Sequence, residues 1–125
     1  MNTAKNCKFS KDHEWIRLEG DVALVGISEF AQGELGDIVF IEVETIGEDL
    51  EKDAVFGSVE AVKTVSDLFM PVAGHVLEFN QKLNDSPELV NSDPYGEGWI
   101  VKVKVSNTEQ LNELMNSEAY SAFIG

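Results

Sequence analysis

The sequence is poor in the residue types on which small catalytic or secreted domains depend. Of its 125 residues, one is cysteine, Cys7. No intramolecular disulfide can form, which excludes the crosslinked framework of a small secreted protein. The two histidines, His13 and His75, stand far apart and match no metal-ligand spacing. His13-Glu14 does not begin a His-Glu-x-x-His zinc helix, because Arg17 follows Glu14 by three. Positive charge is scarce. Nine Lys and Arg face 23 Asp and Glu, for a net charge of −14, and between Glu29 and Glu60 Lys52 alone opposes ten acids. A field of that sign repels nucleic-acid phosphates and anionic lipid, and it suits basic protein partners or cationic groups. The plainer reading is that the acidity keeps a cytosolic protein soluble. No apolar run approaches the roughly 20 residues of a membrane span. The N-terminus shows no signal h-region and no Arg/Ser-rich presequence, so a cytoplasmic, prokaryotic location is expected.

What is present suits one globular domain over residues 1–125. Hydrophobic residues make up 43% and charged residues 26%, and a chain of this size buries roughly two-thirds of its unfolded surface. Trp15–Leu18 and Val22–Ile27 are β-type runs joined by Glu19-Gly20-Asp21, a hairpin signal. Ser28 caps a short helical turn that Gly36 stops. Ile38–Val43 alternates little, as expected of a strand covered on both faces. Gly47–Asp53 reads as a polar connection, and Val55–Met70 is β-prone almost throughout, up to Pro71. Gly74–Asn80 is another strand. Residues 84–98, with Pro87, Pro94, Gly96 and Gly98, form a long loop with one helical turn at Pro87–Val90. Trp99–Val105 alternates cleanly. Thr108 and Ser117 read as the caps of two final helices, with Leu111, Leu114, Met115, Tyr120, Phe123 and Ile124 as a packing stripe over one end of the sheet. The pattern predicts a mainly β sandwich or barrel with short helices and a C-terminal helical segment at about 108–124.

A search for enzyme constellations finds no Gly-rich phosphate loop, no nucleophile elbow and no Cys/His cluster. Cys7 reads as a bystander thiol. The informative stretch is Val55 to Gly74, where Lys63 is the only Lys or Arg between Lys52 and Lys82. It reads either as a snorkelling surface lysine or as an attachment site whose amine is acylated at a hairpin tip. Composition does not choose between them. Ala61–Thr64 has no Gly, Pro, Asn or Asp, so turn chemistry would draw one strand through Lys63.

Five blocks, in order, decide it. His13-Glu14-Trp15 comes first, then Gly26-Ile27-Ser28 with Ala31-Gln32 and Leu35-Gly36-Asp37-Ile38-Val39-Phe40. Gly57-x-Val59-Glu60-x-Val62-Lys63 follows, with Ser66-Asp67 and Pro71-Val72-x-Gly74-x-Val76. Pro87-x-Leu89-Val90-Asn91 precedes Pro94-Tyr95-Gly96 with Gly98-Trp99. Together they resemble the glycine cleavage system H protein family of lipoyl carriers over nearly the whole chain.

The resemblance implies a barrel-sandwich hybrid of the lipoyl/biotinyl-carrier kind, with a lipoyl hairpin at about 55–80. It implies lipoate on Lys63, with Glu60 and Asp67, at −3 and +4, guiding attachment. Ordinary solvated turn charge is the alternative for both acids. Gly57 and Gly74 serve tight backbone geometry. It further implies a carrier with no catalytic residues. An aminomethyl group passes from the pyridoxal-phosphate glycine decarboxylase (P protein) to the tetrahydrofolate-dependent aminomethyltransferase (T protein). Dihydrolipoamide dehydrogenase (L protein) then reoxidises the arm, and lipoate-attaching enzymes load it. Glu14 and Asp67, with Asp12 assisting, are expected to line a cleft for the loaded arm; the alternative for Glu14 is an ion pair with Arg17. Related biotin acceptors place Met beside the lysine, where this chain has Val62 and Thr64. Lipoyl modules of 2-oxo-acid dehydrogenases carry Ala/Pro-rich linkers that are absent here. Departures from the family pattern are the missing proline around Thr45-Ile46, Ala61 for Ser and Asp12 for a neutral residue. Two rival readings keep Lys63 but change its role. One is a relay that donates lipoate to other proteins, and the other is an unmodified binding module.

Overall fold

The structure, a computed structural model, describes residues 6–125. The expectation about a leader falls in part on residues 1–5, which lie outside the described residues. The N-terminal half contains β1 (Lys8–Phe9), β2 (Glu14–Glu19), β3 (Val22–Ile27), α1 (Glu29–Leu35), β4 (Ile38–Glu42), β5 (Asp49–Leu50) and β6 (Val55–Ala61). After it come β7 (Val65–Phe69), β8 (Gly74–Phe79), α2 (Lys82–Asp85), α3 (Leu89–Ser92), β9 (Val101–Val105), a 3-10 segment (Thr108–Glu113) and α4 (Ser117–Ile124). Among the described residues no helix is long and apolar enough to cross a membrane.

Two sheets result, and all their pairings are antiparallel. The larger has the order β1-β2-β3-β9-β8-β5, and the smaller has β4-β6-β7. Neither closes into a barrel; they pack as a sandwich. Ile16, Ala23, Val25, Val76, Val101 and Val103 of the larger sheet meet Ile38, Ile41, Phe56, Val59, Ala61 and Leu68 of the smaller in one core. Burial of each such aliphatic side chain contributes roughly 1.5–3 kcal/mol. A second cluster gathers Cys7, Phe9, Trp15, Leu24 and Tyr120. Cys7 is therefore buried, and burial pushes its thiol pKa up while the nearby Arg17 pulls it down.

The expected hairpin Trp15–Ile27, the Ser28 cap and the Gly36 stop are all present. Ser28 Oγ accepts from Ala31 N, and the Gly36 N–H donates to Gln32 O at a φ of 84°. Other expectations need correction. β4 is not covered on both faces, because Val39, Phe40 and Glu42 are exposed. It is the outer strand of a three-stranded sheet that packs on the core through one side. The polar connection Gly47–Asp53 contains the short strand β5. The long loop holds two helical turns, at Lys82–Asp85 and Leu89–Ser92. The last two helical pieces are capped by Asn107 and Asn116, whose side chains accept from Glu109 N and Ala119 N, one residue earlier than Thr108 and Ser117. The stripe itself divides. Leu111 and Leu114 join the main core, whereas Met115, Tyr120 and Ile124 pack on the second cluster.

Candidate functional site

Lys63 lies in the Val62–Thr64 connection between β6 and β7. The β-prone run breaks there for a reason of scale. Extended as one strand, Val55–Met70 would measure roughly 50 Å, too long to bury Phe56, Val59, Ala61, Leu68 and Met70 in one small core. Folding back at residues 62–64 brings both halves onto that core. Ala61 N donates to Thr64 O at 2.8 Å, and Val62 N donates to Asp37 O at 3.1 Å, which ties the tip to the approach of β4. The two glycines sit where strands come close. A Cβ on Gly57 would stand 2.5 Å from Glu42 O, and one on Gly74 2.8 Å from Lys104 O. Lys63 is exposed, and no hydrogen bond or ion pair joins its amine to another described residue.

Glu60 and Asp67 stand on the outer face beneath the tip. Phe40, Glu60 and Val65 form one cross-strand rung, and Glu42, Ser58 and Asp67 form the next outward rung. Both acids are exposed. Sequence reasoning passed over their neighbours. Glu42, Glu44, Thr45, Phe56, Ser58 and Asp67 border a hollow of about 210 Å³. A hydrogen bond shared with the Glu44 carboxyl, and then its charge, raise the Glu42 pKa above the ordinary carboxylate value. The pairing of β6 with both β4 and β7 brings these residues together, so no local signal marks them.

Glu14 is placed differently. It opens β2 and is 2% exposed. Its Oε1 accepts from Ser10 Oγ at 2.9 Å, and its Oε2 accepts from Phe69 N at 3.1 Å. The carboxyl thus joins the larger sheet to β7, two residues beyond Asp67. Burial, with a smaller push from the Asp12 charge, raises its pKa to about 8 against the pull of these hydrogen bonds. It makes no pair with Arg17, whose Nε meets Glu19 at 3.2 Å and whose NH1 donates to Tyr95 O at 2.7 Å. That alternative is corrected. Asp12 is exposed in the preceding turn, beside a hollow of about 380 Å³ that Phe9, Lys52, Met115 and Phe123 help to line.

The rest of the His13-Glu14-Trp15 block is an anchor. His13 adopts a φ of 70°, uncommon for a residue with a side chain. Its Nδ1 lies 2.7 Å from Tyr120 Oη, which lies 2.7 Å from Ser28 Oγ. Tyr120 stacks on Phe9 with ring centroids 4.3 Å apart. Trp15 Nε1 donates to Pro94 O at 3.0 Å, and the Arg17 guanidinium lies 5.0 Å from the Trp15 ring centroid. Ser10 and Tyr120 are the partners that the sequence did not reveal. They lie 4 and 107 residues from the side chains they hold.

Comparison with known proteins agrees with this arrangement. A relative from Bacteroides fragilis, a glycine cleavage system H protein, is 56% identical over 99% of this chain and 98% of its own length. Relatives of the same name from Bacteroides thetaiotaomicron and Symbiobacterium thermophilum are 52% and 53% identical over nearly the full chain. The crystal structure of a glycine cleavage system H protein from Mycobacterium marinum superposes with a TM-score of 0.88 at 34% identity, covering 97% of this chain and 98% of that one. The profile of the glycine cleavage H-protein family matches residues 7–125, and the chain belongs to that family.

Proposed function

We propose that this chain is a lipoyl carrier of the glycine cleavage system, with lipoate joined to Lys63, and that it is not itself an enzyme. In this reading one carrier domain spanning the chain conveys an aminomethyl group from glycine decarboxylase to aminomethyltransferase and is reoxidised by dihydrolipoamide dehydrogenase. Its bacterial relatives suit a cytoplasmic location.

The exposed, unpaired amine of Lys63 on a hairpin anchored at its base carries the reading. The residues suit the group. Amide formation removes the lysine charge, and here it breaks no ion pair and strands no buried partner. When bound, lipoate supplies a disulfide that can be reduced, take up a fragment and re-form.

The chain's own residues do the rest. Glu60 and Asp67 offer negative charge on the face that an attaching enzyme must approach. Asp12 and Asp67, both exposed, would attract a cationic amine carried at the end of the arm. Glu14, with a pKa near 8, holds its proton at neutral pH and would release it as a cation came close.

Intact mass of the protein from its host tests attachment, and a gain of one lipoyl group that Lys63→Arg abolishes is expected. The Arg variant keeps the charge but loses the acylable amine. Glycine–bicarbonate exchange supported by Lys63→Arg would overturn the reading. The role of the acids has its own test. After the protein is charged with glycine and the decarboxylase is removed, Glu14→Gln should release formaldehyde and ammonia faster than the wild type at equal lipoylation. An unchanged rate removes Glu14 from that role.

A further inference from the structure

Among the large apolar side chains described as exposed, the two most open flank the lysine, Val62 at 70% and Val65 at 65%. Two more, Phe40 at 50% and Val39 at 47%, stand on β4 alongside. Phe40 shares a rung with Glu60 and Val65, and the Val62 N–H is bonded to Asp37 O just before β4.

This grouping is built by the backbone. A regular strand would send Val39 and Phe40 to opposite faces. The register between β4 and β6 slips between Ile38 and Phe40, so Val39 is the extra residue of a bulge. Both side chains therefore reach solvent, while Ile38 and Ile41 on either side are buried. Bulges re-aim side chains in this way, often beside functional sites. Single exposed apolar residues are ordinary on a protein surface, whereas a contiguous group marks an interaction site.

We infer that Val39, Phe40, Val62 and Val65 form a collar that docks into the active-site mouth of the enzyme that acylates Lys63, a mouth that is apolar and rimmed by basic residues. The inference rests on the reading of Lys63 as an acylated lysine. The acids set the rim. Asp37 and Glu60 border the collar, and Lys63 is the only Lys or Arg between Lys52 and Lys82. Reach selects this partner over the others. The reacting atom in attachment is Lys63 Nζ, about 6 Å from its own backbone at most, so the attaching enzyme must admit the hairpin tip itself. Once the arm is in place, the reacting sulfurs lie beyond the lysine by the length of the acyl chain, and enzymes acting on them need not touch the collar. In the attachment step the Lys63 ammonium gives a proton to a base, and its nitrogen attacks the carbonyl of an acyl adenylate or acyl thioester. The amide C–N bond forms, and AMP or the thiolate departs with the electrons of the broken C–O or C–S bond; nothing is oxidised or reduced.

The test compares Phe40→Ser and Val65→Ser with Leu18→Ser, an equally exposed apolar residue on β2. Each unmodified chain is given lipoate, ATP and a lipoate-attaching ligase, and attachment is followed by intact mass. The collar variants should lose tenfold or more in kcat/KM, mainly through KM, with unchanged melting. Leu18→Ser should behave as wild type. Phe40→Lys, which sets a charge against a basic rim, should lose more, and attachment to the wild type should slow as salt rises. After prolonged incubation to full lipoylation, dihydrolipoamide dehydrogenase should turn over every variant at the wild-type rate. Wild-type protein that takes up no lipoate on Lys63 overturns the proposed function and the collar together. Normal wild-type attachment with unchanged rates in Phe40→Ser, or faster attachment in Phe40→Lys, overturns the collar alone.

Discussion

Strand β7 begins in solvent and ends in the core, and its two ends are opposites. At Val65 it leaves an exposed tip where a few backbone bonds hold the chain and no described residue pairs with the Lys63 amine. At Phe69 its N–H donates to the buried carboxyl of Glu14, inside a corner where Ser10, His13, Trp15 and Tyr120 all have partners. Among the described residues, no buried side-chain N or O atom lacks a hydrogen bond. The difference teaches a division of labour. The tip leaves an amine open to modification, whereas the corner at the other end of the strand is built of buried, mutually bonded groups.

The comparison can be broken from the corner first. Trp15→Ala removes a fully buried indole and its bond to Pro94 O. Such truncations cost about 3–5 kcal/mol, so chemical denaturation should show a loss of that order. Attachment to Lys63, measured below the transition, should proceed at the wild-type rate, because the tip shares no contact with the indole.

Glu14 sharpens the same contrast through pH. Its pKa is raised from 4.5 to about 8 in the fold, so between those values the folded state holds a proton that the unfolded state has released. Stability must therefore fall as pH rises from about 4.5 to 8, and the effect on this carboxyl is a few kcal/mol at most. Glu14→Gln, which keeps the shape, should flatten that slope in denaturation curves recorded at pH 5 and pH 8. An equal slope in both proteins would mean that the carboxyl is solvated.

The smallest effect belongs to the tip. Glu60 is exposed, and its side chain forms no bond to another described residue, so Glu60→Ala should shift stability by less than about 0.5 kcal/mol. Lipoate attachment should nevertheless slow. A melting temperature lowered by many degrees with normal attachment would make Glu60 a structural residue.

Much of this was legible because local physics acts over short distances. The Glu19-Gly20-Asp21 turn, the Ser28 cap and the Gly36 stop each involve residues within four positions of one another. Misplaced features had local rivals or distant causes. Asn107 and Asn116 outcompete the adjacent Thr108 and Ser117 because their amide oxygens reach the free N–H groups of the first turn. The open outer face of β4 follows from its sheet packing on the core through one side only, with a bulge set by pairing to β6.

The sequence by itself determined the family, through five ordered blocks, and that resemblance singled out Lys63, whose isolation among apolar and acidic neighbours left two readings open. It also determined the net charge of −14. Only the tertiary structure gave the turn at Val62–Thr64, expected from the family resemblance, its physical reason: no turn residue marks that place, and turning there returns Leu68 and Met70 to the core. It alone separated Glu14 from Glu60 and Asp67. All three are acids in family blocks, but a carboxyl's solvation depends on what folds over it. For Glu14 the cover and the partners come from Ser10 and from Phe69, 55 residues away.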